Sequence, residues 1–294
     1  MSQAHRRIEL PDDQVFIDRL KEKDYARIAR LVSNHTGIKL PPSKRTMVEG
    51  RLRKRMRVLG HAGFAEYSRY LFEQGGIDSE FVHLIDAVTT NKTDFFREVE
   101  HFTALEQDIV PALISMRRPG ERVSIKLWSA ASSTGAEAYT IAMVMAELAA
   151  RLGEMNFEVL GTDISTEVLE QAKLAIYPSE MVTPVPAAIR ERYVMHGRTL
   201  DRQGEVRIVP ELRRRVRFCR LNLMDAKYPF DHDMDVIFLR NVLIYFDKPT
   251  QEAVVGRLLG HLRPGGFLFL GHSESVVGSS LKLRQWAPSV FQRV

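Results

Sequence analysis

The amino-acid sequence predicts an α/β protein built on an open, doubly wound parallel sheet, with a helical N-terminal domain and a small inserted antiparallel β-subdomain. From about residue 120 onward, short apolar runs alternate with helical patterns, which is typical of βαβ units. Residues 1–76 show only helical periodicity and end at Gly75-Gly76, so we expect a separate helical domain there. Between about residues 185 and 215, prolines and a glycine-flanked turn interrupt the alternation, which predicts the insertion within an α/β domain at 77–294.

The composition is that of an ordinary globular protein, with 294 residues of which 45% are hydrophobic and 27% charged. No apolar run approaches the roughly 20 residues that span a bilayer, and the first residues lack the apolar core of a signal peptide. We therefore expect a cytoplasmic protein without membrane insertion. The single cysteine, Cys219, excludes an internal disulfide, and the nine histidines show no paired ligand spacing, so no metal is expected.

Positive charge is concentrated in one segment. Residues 44–57 carry seven cations and one anion, a local net charge of +6 in a chain whose total is +5. The pattern predicts a helix that Ser43 caps and that runs through Leu59, with Leu52, Met56 and Leu59 on one apolar stripe. Such a run is either a solvated face or a docking surface for an acidic partner, since like charges repel one another unless acids offset them.

Two segments have the composition of ligand-binding loops. Residues 89–97 combine hydroxyls, an amide and an arginine with Phe95 and Phe96, which could shield a ligand from water. Residues 127–142 read as a strand, a turn of small residues and a helix, the place where an open α/β sheet lets its backbone approach a ligand. This second segment matches neither the dinucleotide-binding glycine pattern nor a phosphate-binding P-loop, so an ordinary tight turn remains an alternative.

Polar residues follow three of the predicted strands. Glu137 lies just beyond the first strand, Asp163 ends the second, and Asn241 ends a later one. Ligands of open α/β sheets bind at the carboxyl ends of the strands, so these side chains are expected to converge on one crevice. An acid that closes the second strand is well placed to bind a ribose diol. The sequence therefore favours a nucleoside cofactor.

Six segments of the sequence together resemble those of a known family. The segments VTTNKTDFFRE, WSAASSTGAEAYTIA, GTDIS, LNL, FLRNVLIYFDKPTQ and GGFLFLGHSES closely resemble those of the bacterial chemotaxis receptor glutamate methyltransferases, the CheR family. The resemblance runs from about residue 15 to the end of the chain. It implies a Rossmann-like class I methyltransferase domain that uses S-adenosylmethionine and yields S-adenosylhomocysteine. It also implies that the substrate is a glutamate side chain on the cytoplasmic helices of a chemoreceptor.

The same resemblance implies a set of site residues. The cofactor contacts would be Asn91, Thr93, Arg97, Glu137, Asp163, Asn222, Leu223, Asn241 and Val242. Arg97 and Tyr245 are candidates to hold the substrate carboxylate beside the methyl group. The basic helix would dock acidic receptor helices through Arg51, Arg53, Lys54, Arg55 and Arg57. The resemblance leaves open whether the β-subdomain binds a receptor C-terminal peptide. The family commonly has two acids and a proline where this chain has Gly135–Ala138, but the second acid is retained as Glu137.

The implied chemistry agrees with the absence of a recognisable catalytic triad. A glutamate carboxylate has a reference pKa of about 4.3, so it is ionised near neutral pH and needs no general base. For methyl transfer it is then sufficient to align the carboxylate with an activated methyl group and to exclude water. His101 and His272 are secondary candidates to line the site.

Three rival functions can be compared with the sequence. A nucleic-acid amino-methyltransferase usually carries an Asp/Asn-Pro-Pro-Tyr type motif where residues 240–243 stand here, so no nucleic-acid partner is expected. A non-catalytic module that senses the cofactor would be favoured by loss of Arg97, Tyr245 or Asn241, and all three are present. A hydrolase is suggested by GHSES, but too few residues follow for the remaining catalytic groups. We expect a monomeric methyltransferase.

Overall fold

The computed structural model describes residues 18–89, 91–118, 120–153, 155–197, 203–230, 233–276 and 280–294. Residues 1–17 of the predicted helical domain and residues 198–202 of the predicted insertion therefore lie outside the description. The described part holds a helical unit, a seven-stranded sheet and a separate three-stranded sheet. No helix in these ranges combines the length and the apolar character needed to cross a bilayer.

The helical unit packs four helices around one apolar core. They are α1 (Glu22–Thr36), α2 (Arg45–Leu59), α3 (Phe64–Glu73) and α4 (Ile77–Val88). The domain boundary after residue 76 stays a prediction, but Leu84, Ile85 and Val88 of α4 are buried in the same cluster as residues of α1, α2 and α3. The helical layer thus continues beyond that boundary, because α4 buries its apolar face against the helices before it.

Helix α2 follows the predicted pattern closely. Leu52 and Met56 are buried in the helical core, and the helix ends at Gly60, which adopts a left-handed φ of 74°. The helix begins at Arg45, and the predicted cap Ser43 lies instead in a short 3-10 turn, Pro42–Lys44, so that Lys44 occupies the cap position. Glu49, between the apolar positions, is also buried, and its carboxylate accepts a hydrogen bond from the backbone N–H of Leu20 at 3.1 Å.

The main sheet has the doubly wound order that the sequence predicts. Its strands are β1 (Val123–Ala130), β2 (Met155–Asp163), β6 (Val216–Arg220), β7 (Met234–Leu239), β8 (Leu262–Leu270), β9 (Leu283–Ala287) and β10 (Val290–Arg293). The spatial order is β6-β2-β1-β7-β8-β10-β9. Strands β6, β2, β1, β7 and β8 are parallel, β10 is antiparallel to β8, and β9 is antiparallel to β10. The sheet is buried between apolar clusters on both faces, as a parallel sheet requires.

Helices connect most of the consecutive parallel strands. The chain enters the sheet through α5 (Val99–Ala104), a π turn and α6 (Val110–Ser115), and the crossovers use α7 (Ala136–Leu152), α8 (Thr166–Leu174) and α11 (Lys248–His261). Since β2 lies on one side of β1 and β7 on the other, the strand order reverses at β1. Such a reversal opens a crevice at the carboxyl ends of the strands.

The insertion forms its own antiparallel sheet, in the order β3-β5-β4. Its strands are β3 (Ile176–Pro178), β4 (Val194–His196) and β5 (Glu205–Ile208), and it also holds the short helices α9 (Ala187–Tyr193) and α10 (Pro210–Arg213). The predicted hairpin corresponds to β4 and β5. Strand β3 precedes the predicted start at residue 185, because three residues are too few to show a strand period and Ile176 continues the apolar pattern of α8.

Candidate active site

An open cleft of about 1180 Å³ lies where the carboxyl edge of the main sheet meets the helical unit. The register of the strands places Ala130 of β1 beside Thr162 of β2 and Leu239 of β7, so the residues that follow these three strands reach the cleft together. The segment from Thr36 to Leu40 and the start of α2 line the opposite side. The site is therefore built from both structural units.

Asp163 closes β2 at the floor of the cleft. One carboxylate oxygen accepts a hydrogen bond from the backbone N–H of Ser133 at 2.9 Å, and the other accepts one from Ser165 at 3.0 Å. Burial raises the pKa of Asp163, while these backbone donors favour its ionised form. The two bonds fix the carboxylate at the end of the strand, where it lines the cleft.

The turn between β1 and α7 brings backbone close to the cleft. Ala131 and Ser133 adopt left-handed φ values of 61° and 50°, and Gly135 has a φ of 88°. A Cβ at Gly135 would lie 2.9 Å from the Cβ of Ala172, so this position has room only for glycine. The Ser133 hydroxyl also donates to the carbonyl of Asn91 at 2.8 Å, which joins the turn to the loop before α5.

A buried ion-pair cluster lies behind the turn. Arg240, which follows β7, donates to Glu137 at 3.0 Å and to Glu98 at 2.9 Å, and its side chain is 2% exposed. It also donates to the carbonyl of Arg97. Burial raises the pKa of Glu137, and the charge of Arg240 and a 2.6 Å bond from Ser129 partly offset that effect. One guanidinium thus connects three segments that are distant in the sequence.

Sequence reasoning did not identify Glu98, Arg240 or Glu274 as site residues. All three lie inside the segments that carry the family resemblance, and Glu98 and Arg240 are next to the selected residues Arg97 and Asn241. Burial alone would raise the pKa of Glu98, but hydrogen bonds and charge from Arg240 hold it below its usual value. The sequence does show that Glu98 and Arg240 are charged residues beside predicted ligand residues. It does not show which residue of opposite charge each of them pairs with.

The predicted cofactor and catalytic residues all line the cleft: Asn91, Thr93, Arg97, Glu137, Asp163, Asn222, Leu223, Asn241, Val242 and Tyr245. Their individual roles stay predictions. Asn222 has a further contact, because its side-chain amide donates to the carbonyl of His35 at 2.6 Å and so joins the sheet edge to the helical unit. His101 and His272 are not among the lining residues.

Most of the predicted docking cations make contacts within the protein. Arg51 donates to the carbonyls of Val88 and Thr89 at 3.2 and 2.5 Å, which ties α2 to the end of α4. Arg53 donates to the carbonyl of Asp18, and its guanidinium lies 4.8 Å from the centre of the Phe64 ring.

Arg55 is the most strongly engaged of these cations. It makes two 2.7 Å bonds to Glu80, whose side chain is 1% exposed. Lys54 and Arg57 are exposed and have no ion pair among the described residues. None of the five lines the cleft. The free charge of α2 is therefore smaller than its composition suggests.

One group of side chains has the spacing of a metal site. Glu98, His101 and His272 offer ligand atoms that lie within 4.8 Å of one another. Glu98 already pairs with Arg240, however, and a metal cation there would face the guanidinium charge. Burial lowers the pKa of His101 to about 4, so the ring is neutral near pH 7. The expected absence of a metal stays a prediction.

The architecture and the cleft together define a class. The doubly wound sheet reverses its strand order at β1, and a turn of small residues follows that strand. An acid ends the second strand. These features are typical of the α/β domains that bind a nucleoside cofactor in the crevice.

Comparison with known proteins identifies the family. Residues 91–290 match the family model described as the CheR methyltransferase SAM binding domain, and residues 23–89 match that of the CheR methyltransferase all-alpha domain. The chain therefore belongs to the CheR methyltransferase family, and its α/β domain is a SAM-binding methyltransferase domain.

Curated relatives agree with this assignment over most of their length. The chain is 38% identical to chemotaxis protein methyltransferase 2 of Pseudomonas aeruginosa over 271 residues, which cover 92% of each chain. It is 41% identical to the chemotaxis protein methyltransferase of Klebsiella aerogenes, covering 87% of this chain and 84% of the relative. The corresponding Escherichia coli protein is 40% identical, with 87% and 85% covered.

Proposed function

We propose that this protein transfers the methyl group of S-adenosylmethionine to glutamate side chains of chemoreceptors. The observation that carries the proposal is the convergence of Glu137, Asp163 and Asn241 on one cleft, beside Arg97 and Tyr245. The family supplies the methyltransferase class, and the names of the curated relatives supply chemotaxis. The products would be a glutamate methyl ester and S-adenosylhomocysteine.

The donor set of the cleft suits this cofactor. Asp163 offers a carboxylate for a ribose diol, and Ile164, Leu221 and Leu223 offer apolar surface for a base. Acid and amide side chains at Glu137 and Asn91 offer acceptors for an amino group. When bound, the cofactor supplies a methyl group already activated by its positive sulfur.

The residues of this chain then have to orient a carboxylate and exclude water. A glutamate is ionised near neutral pH, with a reference pKa of about 4.3, so no residue needs to remove a proton from it. Arg97 lines the cleft as a cation, and Tyr245 lines it as a hydroxyl donor. We propose that these two groups hold the carboxylate oxygens in line with the methyl group.

The side chains at the cleft mouth fit an acidic substrate surface. Lys39, Lys44 and Lys92 are exposed and line the cleft on the side of the helical unit and the loop before α5, and Lys39 also pairs with the exposed Asp247 at 3.2 Å. We infer that they act together with the exposed Lys54 and Arg57 of α2 to attract acidic helices. Arg51, Arg53 and Arg55 would contribute mainly by holding α2 in place.

Methyl transfer to membranes enriched in chemoreceptors tests the proposal. Labelled S-adenosylmethionine is incubated with the protein, with Asp163→Ala, and with Asp78→Ala, an exposed carboxylate on α4, as the matched control. We expect base-labile label on the receptor with the original protein and the control, and none with Asp163→Ala. Tight cofactor binding without transfer would favour a sensor, and label on RNA would favour a nucleic-acid methyltransferase. Either result would contradict the proposal.

A second variant tests the catalytic assignment. Replacing Tyr245 by Phe removes the hydroxyl but keeps the ring, so kcat is expected to fall about tenfold with little change in cofactor affinity. Unchanged turnover would exclude the hydroxyl of Tyr245 from the reaction.

A further inference from the structure

The loop after β7 is held in an unusual conformation at the cleft. Asn241 has a φ of 59°, in the left-handed region that few side-chain-bearing residues adopt, although asparagine adopts it more readily than most. The surrounding structure has to maintain such a conformation, and these residues cluster at functional sites. Asn241 also lines the cleft, so whatever maintains its backbone also aims its side chain.

Glu274 is the group that holds this loop. One of its carboxylate oxygens accepts the backbone N–H of Asn241 at 2.8 Å and that of Gly271 at 2.7 Å. The other accepts the backbone N–H of Leu243 at 2.7 Å. Glu274 is only 6% exposed, so three backbone donors and a buried carboxylate satisfy one another. The loops that follow β7 and β8 are thereby joined through a single side chain.

The close approach at Gly271 is a second, independent feature of the same junction. A Cβ on Gly271 would lie 2.7 Å from Nδ2 of Asn241 and 2.8 Å from Oε2 of Glu274. No side chain fits there without moving one of those groups. The junction thus combines a carboxylate clamp with a backbone position that only glycine can occupy.

Glu98 fixes the remaining freedom of Asn241, which is the orientation of its amide. Nδ2 of Asn241 donates to Oε1 of Glu98 at 3.2 Å. Arg240 keeps the pKa of Glu98 low, so the carboxylate is ionised and can only accept hydrogen bonds. The amide nitrogen therefore faces Glu98, and the amide oxygen is left to accept a hydrogen bond from a bound group.

We propose that Glu274 is a positioning residue for the cofactor: it holds the backbone of Asn241 so that the side-chain amide oxygen is presented to the ligand. This inference rests on the proposed function, because it takes Asn241 to be a cofactor contact. It assigns a role in methyl transfer to the GHSES segment that differs from the hydrolase nucleophile its spacing resembles. Glu274 itself acts through Asn241.

A double-mutant cycle tests the inference on binding alone. Glu274→Gln, Asn241→Ala and the double variant are compared in their affinity for S-adenosylhomocysteine, measured by calorimetry. Glu274→Gln keeps one acceptor oxygen but places an N–H₂ group against a backbone donor, and we expect it to weaken binding roughly tenfold. Asn241→Ala should also weaken binding. The double variant should bind no more weakly than Asn241→Ala, because no amide remains to be positioned.

A purely structural role would give a different result, which the controls distinguish. Gly271→Ala perturbs the same junction without removing the carboxylate and is measured as a separate variant. Glu274→Asp, which keeps a carboxylate but shortens its reach, replaces Glu274→Gln in the cycle if the latter does not fold. Gly50→Ala, at an exposed helical glycine with open space around its Cβ position, is the matched control and should leave affinity unchanged. The thermal midpoint of each variant is measured in parallel.

Each outcome decides the matter. A double variant no weaker than Asn241→Ala supports the inference. Additive losses would mean that Glu274 acts through another residue or through stability, which would overturn the inference and leave the proposed function intact. If Asn241→Ala binds S-adenosylhomocysteine normally, the proposed cofactor contact and the inference both fail.

Discussion

The basic helix α2 and the carboxyl edge of the sheet were both predicted from the sequence to be functional surfaces, but the predicted residues have different environments in the two regions. At the sheet edge, the predicted residues from five separate segments line one cleft. On α2, three of the five predicted cations are engaged inside the protein, and Lys54 and Arg57 remain exposed. The same kind of sequence argument was therefore more informative for the sheet than for the helix.

The difference arises from what each argument constrains. The carboxyl ends of parallel strands lie at one edge, so residues after β1, β2 and β7 come together whatever their sequence separation. The sequence of a cationic helix predicts which side chains share a face of the helix. It does not predict which residues of other elements those side chains contact. Glu80, which pairs with Arg55, lies 25 residues away on α4, and no pattern in α2 reveals it. Variants that separate internal from external charges sharpen this comparison.

The largest effect is expected for Arg240 at the sheet edge. Arg240→Met leaves the carboxylates of Glu98 and Glu137 without their shared cation, and unpairing buried charges of this kind costs about 3–5 kcal/mol. Unfolding in urea should show that loss. Arg57→Met, an exposed cation of α2, is the control and should stay within about 0.5 kcal/mol of the original protein. A change below about 1 kcal/mol for Arg240→Met would contradict the structural role of the cluster.

A somewhat smaller loss is expected inside α2. Arg55→Met removes the cation that pairs with Glu80, whose carboxylate then keeps, among the described residues, the hydrogen bond from the hydroxyl of Tyr67 at 3.2 Å. The change should cost about 3 kcal/mol. The double variant Arg55→Met/Glu80→Leu removes both charges and should recover most of that stability in the same urea measurement. If the double variant is as unstable as the single one, packing rather than the ion pair explains the loss.

Sequence reasoning predicted the parallel sheet, the antiparallel hairpin and ten residues that line the cleft, because hydrophobic period and strand topology are local or general properties. It missed Glu98, Arg240 and Glu274, whose roles depend on contacts between segments up to 143 residues apart. It also missed β3, which is too short to show a period. Charge partners across the fold are set by tertiary packing, and a single sequence does not encode them as a pattern.

The stability of the protein should depend on pH through His101, which lies on α5. In the fold the pKa of His101 is about 4, against about 6.5 for an unfolded histidine. The unfolded chain therefore binds a proton more readily below pH 6.5, so stability should fall on the order of 2 kcal/mol between pH 6.5 and 4. Glu98 pairs with Arg240 nearby, and its contribution is also lost as pH falls through its lowered pKa.

Unfolding in urea at a series of pH values measures this dependence. In the variant His101→Phe, the slope between pH 6.5 and 4 should become shallower, and the part that remains reports carboxylates such as Glu98. An unchanged slope would mean that His101 does not titrate differently in the folded and unfolded protein. The ring of Phe269, 5.6 Å away, offers the replacement an aromatic neighbour.

The smallest effect is expected for the cations of α2 that remain free. Reversing both Lys54 and Arg57 to Glu should leave stability nearly unchanged and slow receptor methylation about three- to tenfold at low salt, through a higher KM for the receptor. The control reverses Arg118 and Arg122, exposed cations that precede β1 at the opposite edge of the sheet and give the same change in net charge. Because exposed charges are screened by salt, the difference from the control should shrink as ionic strength rises. An equal effect of both pairs would mean that net charge, rather than the face of α2, attracts the receptor.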